Sequence, residues 1–306
     1  MLPICVNLPS GFDLDTVFRT IAEAGFDGVD VGFERFWTSA QIRHQIIPET
    51  VASEEAFFEA VAPYGAAAKK YGLSVFQTHA PYPGLAPDEA TDELLRKVLS
   101  WAVRATAELG ADKMIYHPVK SFAEADENWV RTMEVCESLI PAAKQYGVTI
   151  CLENLFKTFK SGELTKLMAS TCSDYAAATR KIDELNAAAG REVFGFCLDT
   201  GHALIAGLDE KDMAATLGSR LKALHIHDND GVHDQHLMPY VGAVDWERFL
   251  AGLAAADYRG VLSFETQALW KLYDPALMPA VHRLLIETGR FFAQRLETLR
   301  ACPSES

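Results

Sequence analysis

Short apolar runs alternate along this chain with longer stretches in which apolar residues recur every three or four positions. The first pattern reads as strands buried on both faces, the second as amphipathic helices packed over them. Strands are expected at 4–6, 28–31, 74–78, 113–116, 149–152, 193–198, 221–226 and 261–264. Helices are expected near 14–24, 53–71, 92–109, 128–146, 173–188, 210–217, 246–256 and 275–299. Four junctions, at 24–27, 71–73, 109–111 and 146–148, carry a glycine just after the helix. Such a glycine takes the left-handed conformation without a Cβ clash and lets the next strand begin. Eight strand–helix pairs predict an α/β fold, a single (β/α)8 TIM barrel domain over residues 1–306, with its working face at the C-terminal ends of the strands. A doubly wound open sheet is the alternative, but no GxGxxG or GxxxxGK[ST] loop follows any run.

Most of these runs end in an acid or a histidine. FQTH closes at His79, MIYH at His117, ICLE at Glu153, GFCLD at Asp199 and LSFE at Glu265, while LKALHIHD ends in His225, His227 and Asp228. Parallel strands ending this way deliver donors to one common mouth. Glu153, Asp199, His225 and Glu265 fall after the fifth to eighth strands and form an oxygen-rich set with one imidazole, suited to Mn²⁺, Mg²⁺, Co²⁺ or Zn²⁺. Any one of them alone reads equally well as a helix cap or a salt-bridged barrel carboxylate; four at consecutive strand ends do not. His202 follows Asp199 in Asp-Thr-Gly-His, read as a tight turn that aims both side chains inward. Asp234 and His236 share a face if their segment is extended. His79 and His117 close strands three and four, where a lone histidine is more often a hydrogen-bonded barrel residue than a ligand. His233 is a weaker candidate still, and His227 shares the face of His225 while the strand stays extended, as a substrate contact.

Composition narrows the partners. The 306 residues are 49% hydrophobic and 23% charged, with a formal net charge of −14, which disfavours nucleic acid and anionic membranes. No apolar run nears the ~20 residues of a membrane span, and the first residues read as a strand rather than a signal peptide. Cysteines 5, 136, 151, 172, 197 and 302 lack CxxC spacing and read as buried reduced thiols of a cytoplasmic enzyme. Assembly into a homo-oligomer is left open.

At these residues the chain resembles the xylose-isomerase-like TIM barrel superfamily, in its sugar phosphate isomerase/epimerase branch. The resemblance spans nearly the whole length and rests on LEN at 152–154, LDTGH at 198–202, HIHDNDG at 225–231, DQH at 234–236 and SFE at 263–265. It implies a single-metal site of Glu153, Asp199, His225 and Glu265, with His227 as the alternative seventh-strand ligand, and a substrate-contacting His202. The same superfamily contains endonuclease-IV-type abasic-site nucleases with three zinc ions, and their additional ligands match His79, His117, His202, Asp234 and His236. More than one ion is therefore compatible with the sequence.

Other features favour a small sugar or polyol-like substrate. The loop 228–234 is acidic, and 33–48 carries only Arg35 and Arg43 as cations, too few for a duplex. Lys157, Lys160 and Lys166 read as the solvated edge of a lid. Phe33, Phe36, Trp37, Tyr82, Phe156 and Trp270 lie in expected mouth loops and suit a capped pocket, with Trp37 and Phe156 as substrate contacts beside His79, His117 and His227. The loop after strand eight lacks glycine, so a phosphate cradle is doubtful, although Lys271 offers a point charge. The segment after His227 has no arginine, unlike ketose 3-epimerases. The expected reaction is isomerisation or epimerisation through a metal-stabilised enediolate, with Glu153 and Glu265 as base and acid. A multinuclear zinc phosphodiesterase, a dehydratase or lyase acting on a sugar-derived keto compound, and a non-catalytic sugar-binding barrel are the alternatives.

Overall fold

Every apolar run becomes a parallel strand, in a computed structural model that describes residues 1–83, 85–120, 125–161 and 164–301, without the side chains of 125 and 158–168. Strand β1 (Ile4–Asn7) leads to α1 (Leu14–Ala24), and β2 (Gly28–Gly32) leads through the short α2 (Ser39–Arg43) to α3 (Glu54–Tyr71). Next come β3 (Ser74–His79), α4 (Glu89–Glu108), β4 (Lys113–Tyr116), α5 (Ala125–Tyr146) and β5 (Thr149–Glu153). A hairpin of β6 (Phe156–Ser161) and β7 (Leu164–Ala169) precedes α6 (Tyr175–Ala189). The last third runs β8 (Phe194–Asp199), α7 (Thr200–Ala206), α8 (Glu210–Leu217), β9 (Leu221–His225), α9 (Trp246–Ala255), β10 (Leu262–Phe264), α10 (Leu269–Leu272) and α11 (Met278–Ala301).

The eight barrel strands pair in the order β10–β1–β2–β3–β4–β5–β8–β9. Ile226 closes the ring: its N–H donates to Ser263 O at 2.8 Å, and its carbonyl accepts from Glu265 N at 3.0 Å. The chain is thus a TIM barrel, as its alternation of runs predicts. The four junction glycines, Gly25, Gly72, Gly110 and Gly147, all have positive φ, between 67° and 96°. Helix starts are fixed by acids and hydroxyls; Asp13, Ser53, Asp88, Asp174, Asp209 and Asp245 each accept a backbone N–H of their own first turn.

Two departures from the sequence reading bear on the mouth. The hairpin β6–β7 occupies a segment expected to be a loop. The Asp-Thr-Gly-His segment is no tight turn but the start of α7, with the Asp199 carboxylate accepting from His202 N at 2.6 Å. An aspartate followed by a short apolar helix satisfies the cap that a free turn would leave open.

Alternation along the strands divides the interior. Ile150, Leu152, Leu198 and Leu224 point outward into the helix-covered core. Ile115, Cys151, Cys197 and Ala223 point inward and form a separate, fully buried apolar plug. Five of the six cysteines are buried free thiols; Cys302 lies outside the described residues. Among the described residues no helix is long and apolar enough to cross a membrane.

Candidate functional site

Two residues beyond each member of the plug stands His117, Glu153, Asp199 or His225, so strand periodicity lifts these side chains to the mouth. One ligand atom from each of Glu153, Asp199, His225 and Glu265 lies within 4.8 Å of the others. His225 Nδ1 sits 3.4 Å from Glu153 Oε1, 3.5 Å from Glu265 Oε2 and 4.0 Å from Asp199 Oδ2. Its other nitrogen faces away: Nε2 is 3.2 Å from Asp30 Oδ2, which also accepts from Gln77 Nε2 at 2.8 Å. A carboxylate behind a histidine fixes its tautomer and aims the free nitrogen, as at many metal sites. Sequence reasoning missed Asp30 and Gln77. Their signal was an acid and an amide inside otherwise apolar runs, GVDVG and SVFQTH. Asn154 was also missed; its side chain accepts from Asp199 N at 2.8 Å and donates to Asp199 O at 2.9 Å, pinning β5 to β8.

The donor chemistry and the unsatisfied atoms fit a divalent cation. Glu153 Oε2, His225 Nδ1 and Glu265 Oε2 are buried without an aligned hydrogen bond, although imidazole or carboxylate atoms stand 3.1–3.5 Å away. Buried polar atoms left this way are costly unless something else satisfies them.

Further donors crowd round the set. His79, His117 and Glu153 form a second group of mutually close ligand atoms, Asp199, His202 and His227 a third, and His227, His236 and Glu265 a fourth. His202 Nε2 is 3.6 Å and His236 Nε2 3.2 Å from Asp234 Oδ2. The segment holding this pair is not extended, because His236 has φ 49°; the left-handed residue, rather than strand alternation, brings it over Glu265.

Protonation is divided unevenly. Burial disfavours charge on both His79 and His117, whose Nε2 atoms share Glu153 Oε2 at 3.4 and 3.1 Å. The carboxylate outweighs burial at His79, held at about 9, while His117 falls to about 4. Against burial, His117 and His225 keep Glu153 ionised well below the usual carboxylate range. At Glu265 burial prevails over His225 and His236 and raises the carboxyl. The two glutamates are thus held apart in acidity.

One cavity of about 500 Å³ opens above the cluster, lined by Glu153, His225, Glu265, His79, His117, His202, Asp234 and His236 and walled by Tyr82, Phe156 and Lys271. Several expected contacts are elsewhere. Trp37 is fully buried with its Nε1 donating to Ile46 O, and Phe33 and Phe36 pack with Phe57 behind the mouth. Trp270 packs on Phe12 and His282. Phe33, Phe36 and Trp37 fill the space under the long β2 loop, which needs a core of its own. His227 is also fully buried outside the lining, its Nε2 3.0 Å from Asp199, and its ring lies so close to Gly201 that a Cβ there would meet it at 2.0 Å. His225, not His227, completes the four-ligand set. His233 is exposed and tied to Asp230. Lys157 is half-buried, and the side chains of Lys160 and Lys166 lie outside those described.

The model of the xylose isomerase-like TIM barrel family matches residues 18–284. The chain belongs to this family. An uncharacterised protein of Sinorhizobium fredii is 34% identical over 120 residues, 39% of this chain and 34% of that protein, so the match spans about a third of its length. Among solved structures, a D-tagatose 3-epimerase-like protein superposes with a TM-score of 0.69 at 17% identity, covering 97% of this chain and 99% of the other. A D-psicose 3-epimerase determined with D-fructose gives 0.66 at 16% identity, covering 95% and 99%. At such identities these two establish the shared fold.

Proposed function

We propose that this family member is a divalent-cation-dependent isomerase or epimerase of a sugar or sugar derivative, moving a proton on a carbon beside a carbonyl. The observation that carries this reading is the cluster of Glu153, Asp199, His225 and Glu265, with its unsatisfied buried atoms, at the floor of a cavity sized for a small molecule. These four residues would hold the ion; Mn²⁺, Mg²⁺, Co²⁺ and Zn²⁺ all suit the donors. When bound, it supplies positive charge beside the carbonyl and adjacent hydroxyl oxygens, worth several kcal/mol to an enediolate.

Glu153 and Glu265 reach the substrate from β5 and from beyond β10. One takes the proton and the other returns it, each contributing roughly 10²-fold or more. His202 holds a substrate hydroxyl, and Tyr82 and Phe156 cover the C–H face and exclude water. The sugar epimerases among the structural neighbours support the substrate class. Five buried thiols suit a reducing compartment such as the cytoplasm. Glu153→Ala and Glu265→Ala should each abolish solvent-deuterium uptake into substrate in a protein that stays folded. Uptake surviving both changes refutes the acid/base pair.

The group of His79, His117 and Glu153 favours a second reading, a multinuclear zinc phosphodiesterase, in which His202 and His236, 3.6 and 3.2 Å from Asp234, would hold a further ion with it. Elemental analysis of protein prepared without chelators separates the two: one ion per chain supports proton transfer, three zinc ions with nicking of an abasic duplex support the phosphodiesterase. A dehydratase acting through the same enediolate would reveal itself by water loss in the product.

A further inference from the structure

The cavity is not uniformly acidic. Its acids are Asp30, Glu34, Glu153, Glu265 and Asp234; of its cations, Lys120 after β4 donates to Phe156 O at 3.0 Å, while one arc of the wall carries Arg35, Arg43 and Lys271. These three come from neighbouring sectors of the ring. Arg35 and Arg43 follow β2, Lys271 sits on α10 after β10, and between them lies the loop after β1, whose Leu8, Pro9 and Ser10 line the same wall.

Arg35 is an anchor. It spends three of its five N–H groups on the carbonyls of Gly32, Pro9 and Leu8, at 2.6, 3.2 and 2.9 Å, and its guanidinium lies over the Tyr64 ring. This locks the β1 and β2 loops together and fixes one positive charge in the wall. Arg43 and Lys271 are different. Among the described residues neither side chain has a hydrogen-bond partner or a carboxylate within ion-pair distance. Acids outnumber bases in this chain by 42 to 28, and many of its arginines are paired, as at Arg104–Glu54, Arg220–Asp183 and Arg295–Glu247. Ser10 and Ser39, from the loops after β1 and β2, line the same cavity.

Resting on the functional reading above, we propose that the substrate carries an anionic substituent, a carboxylate or a phosphate ester, that seats between Arg43 and Lys271 beside the β1 loop. The polyol end lies over the carboxylate floor and the charged end at the basic arc, so each end meets the opposite field. The two cations are too few to hold a duplex, which needs many phosphate contacts, yet sufficient for one monoanion or dianion. An uncharged sugar gains nothing from them.

Matched pairs test this: D-fructose 6-phosphate against D-fructose, and D-glucuronate against D-glucose, titrated calorimetrically into the metal-loaded full chain. In at least one pair the anionic member should bind about tenfold tighter at low salt, a difference of ~1.4 kcal/mol. Which pair responds distinguishes phosphate from carboxylate. The preference should shrink in about 0.5 M salt and vanish in the double variant Arg43→Gln, Lys271→Gln, whose metal content stays at the wild-type value. Both side chains are exposed, so the variant folds. Equal affinity within both pairs, or a preference that survives in the double variant, overturns the proposal. Solvent-deuterium uptake is followed in the same four compounds. A binding preference without uptake in any of them counts against proton transfer and leaves the anion subsite standing, whereas uptake without a preference does the reverse.

Discussion

The plug and the mouth are built from the same strands, two residues apart, and they are physical opposites. Ile115, Cys151, Cys197 and Ala223 are fully buried, apolar and packed against one another. Burial pushes the Cys151 thiol up to about 12, so it stays an inert hydrophobe. His117, Glu153, Asp199 and His225, one inward step higher, crowd charge into a space that leaves buried atoms unsatisfied. The lower layer is complete as it stands; on the proposed function, the upper one is completed by the ion it would hold. On that reading stability and function are separated along the barrel axis, with the plug as a stiff base under the four donors.

The widest test of that separation truncates both layers. Ile115→Ala leaves a cavity in the plug and should cost about 2–5 kcal/mol of stability without lowering metal content. Glu153→Ala should abolish metal retention yet cost the chelated protein less than Ile115→Ala does. Urea unfolding of the chelated proteins, beside elemental analysis, reads both. A larger stability loss in Glu153→Ala would make the mouth a structural layer and erase the contrast.

How much of this was legible in the sequence depends on which forces set each residue. The strands, the barrel and the ends His79, His117, Glu153, Asp199, His225 and Glu265 follow from periodicity, which one chain displays directly. The helix cap at Asp199 and the left-handed His236 follow from loop conformations, and periodicity is silent there. Trp37 was misread because an aromatic in a long loop looks the same whether it faces a cavity or supplies the loop's own core. Asp30 and Gln77 could have been found as polar residues inside apolar runs, but Asp30 meets His225, 195 residues further on, and Gln77 meets Asp30 and Leu224 O, so only the closed ring brings them together.

Removing the metal should move the mouth alone. With free ion at a hundred times its dissociation constant, chelation should cost wild type about 2.7 kcal/mol and Glu153→Ala almost nothing. The chelated protein should then show a stability maximum near the ordinary histidine pKa. His79 is held at about 9 in the fold, above its unfolded value of 6.5, so its contribution is full below that value and is lost as pH rises through 9. His236, raised to about 9 beside Glu265 and Asp234, acts with it. His117, depressed to about 4, acts in the opposite sense and erodes stability as pH falls from 6.5. Ile115→Ala should lower this curve without changing its shape, whereas Glu153→Ala should flatten the part of the alkaline limb due to His79. A wild-type curve flat between pH 6.5 and 9 would contradict the charged His79–Glu153 pair.

Asp30 stands outside the four-ligand set, accepting from Gln77 Nε2 and facing His225 Nε2 at 3.2 Å. Asp30→Asn keeps the shape and removes the charge that orients the imidazole. Metal affinity should fall about 10–100-fold, measured by competition with a chelating dye, while stability of the chelated protein changes little. Unchanged affinity would mean that packing alone aims His225.

The smallest effect is expected from Cys151→Ala. Cys151 sits two residues below Glu153 in β5, fully buried in the plug. Losing one sulfur leaves a void far smaller than a leucine truncation does, so the cost should be about 1 kcal/mol. Metal affinity should stay within about twofold of wild type, because Glu153 is also held from the sides by His79, His117 and His225, at 3.4, 3.1 and 3.4 Å. The same measurement has a sharper second outcome. If this one atom lowers metal affinity tenfold or more, the plug and the mouth are a single cooperative unit, and the packing below the ligands sets the geometry above.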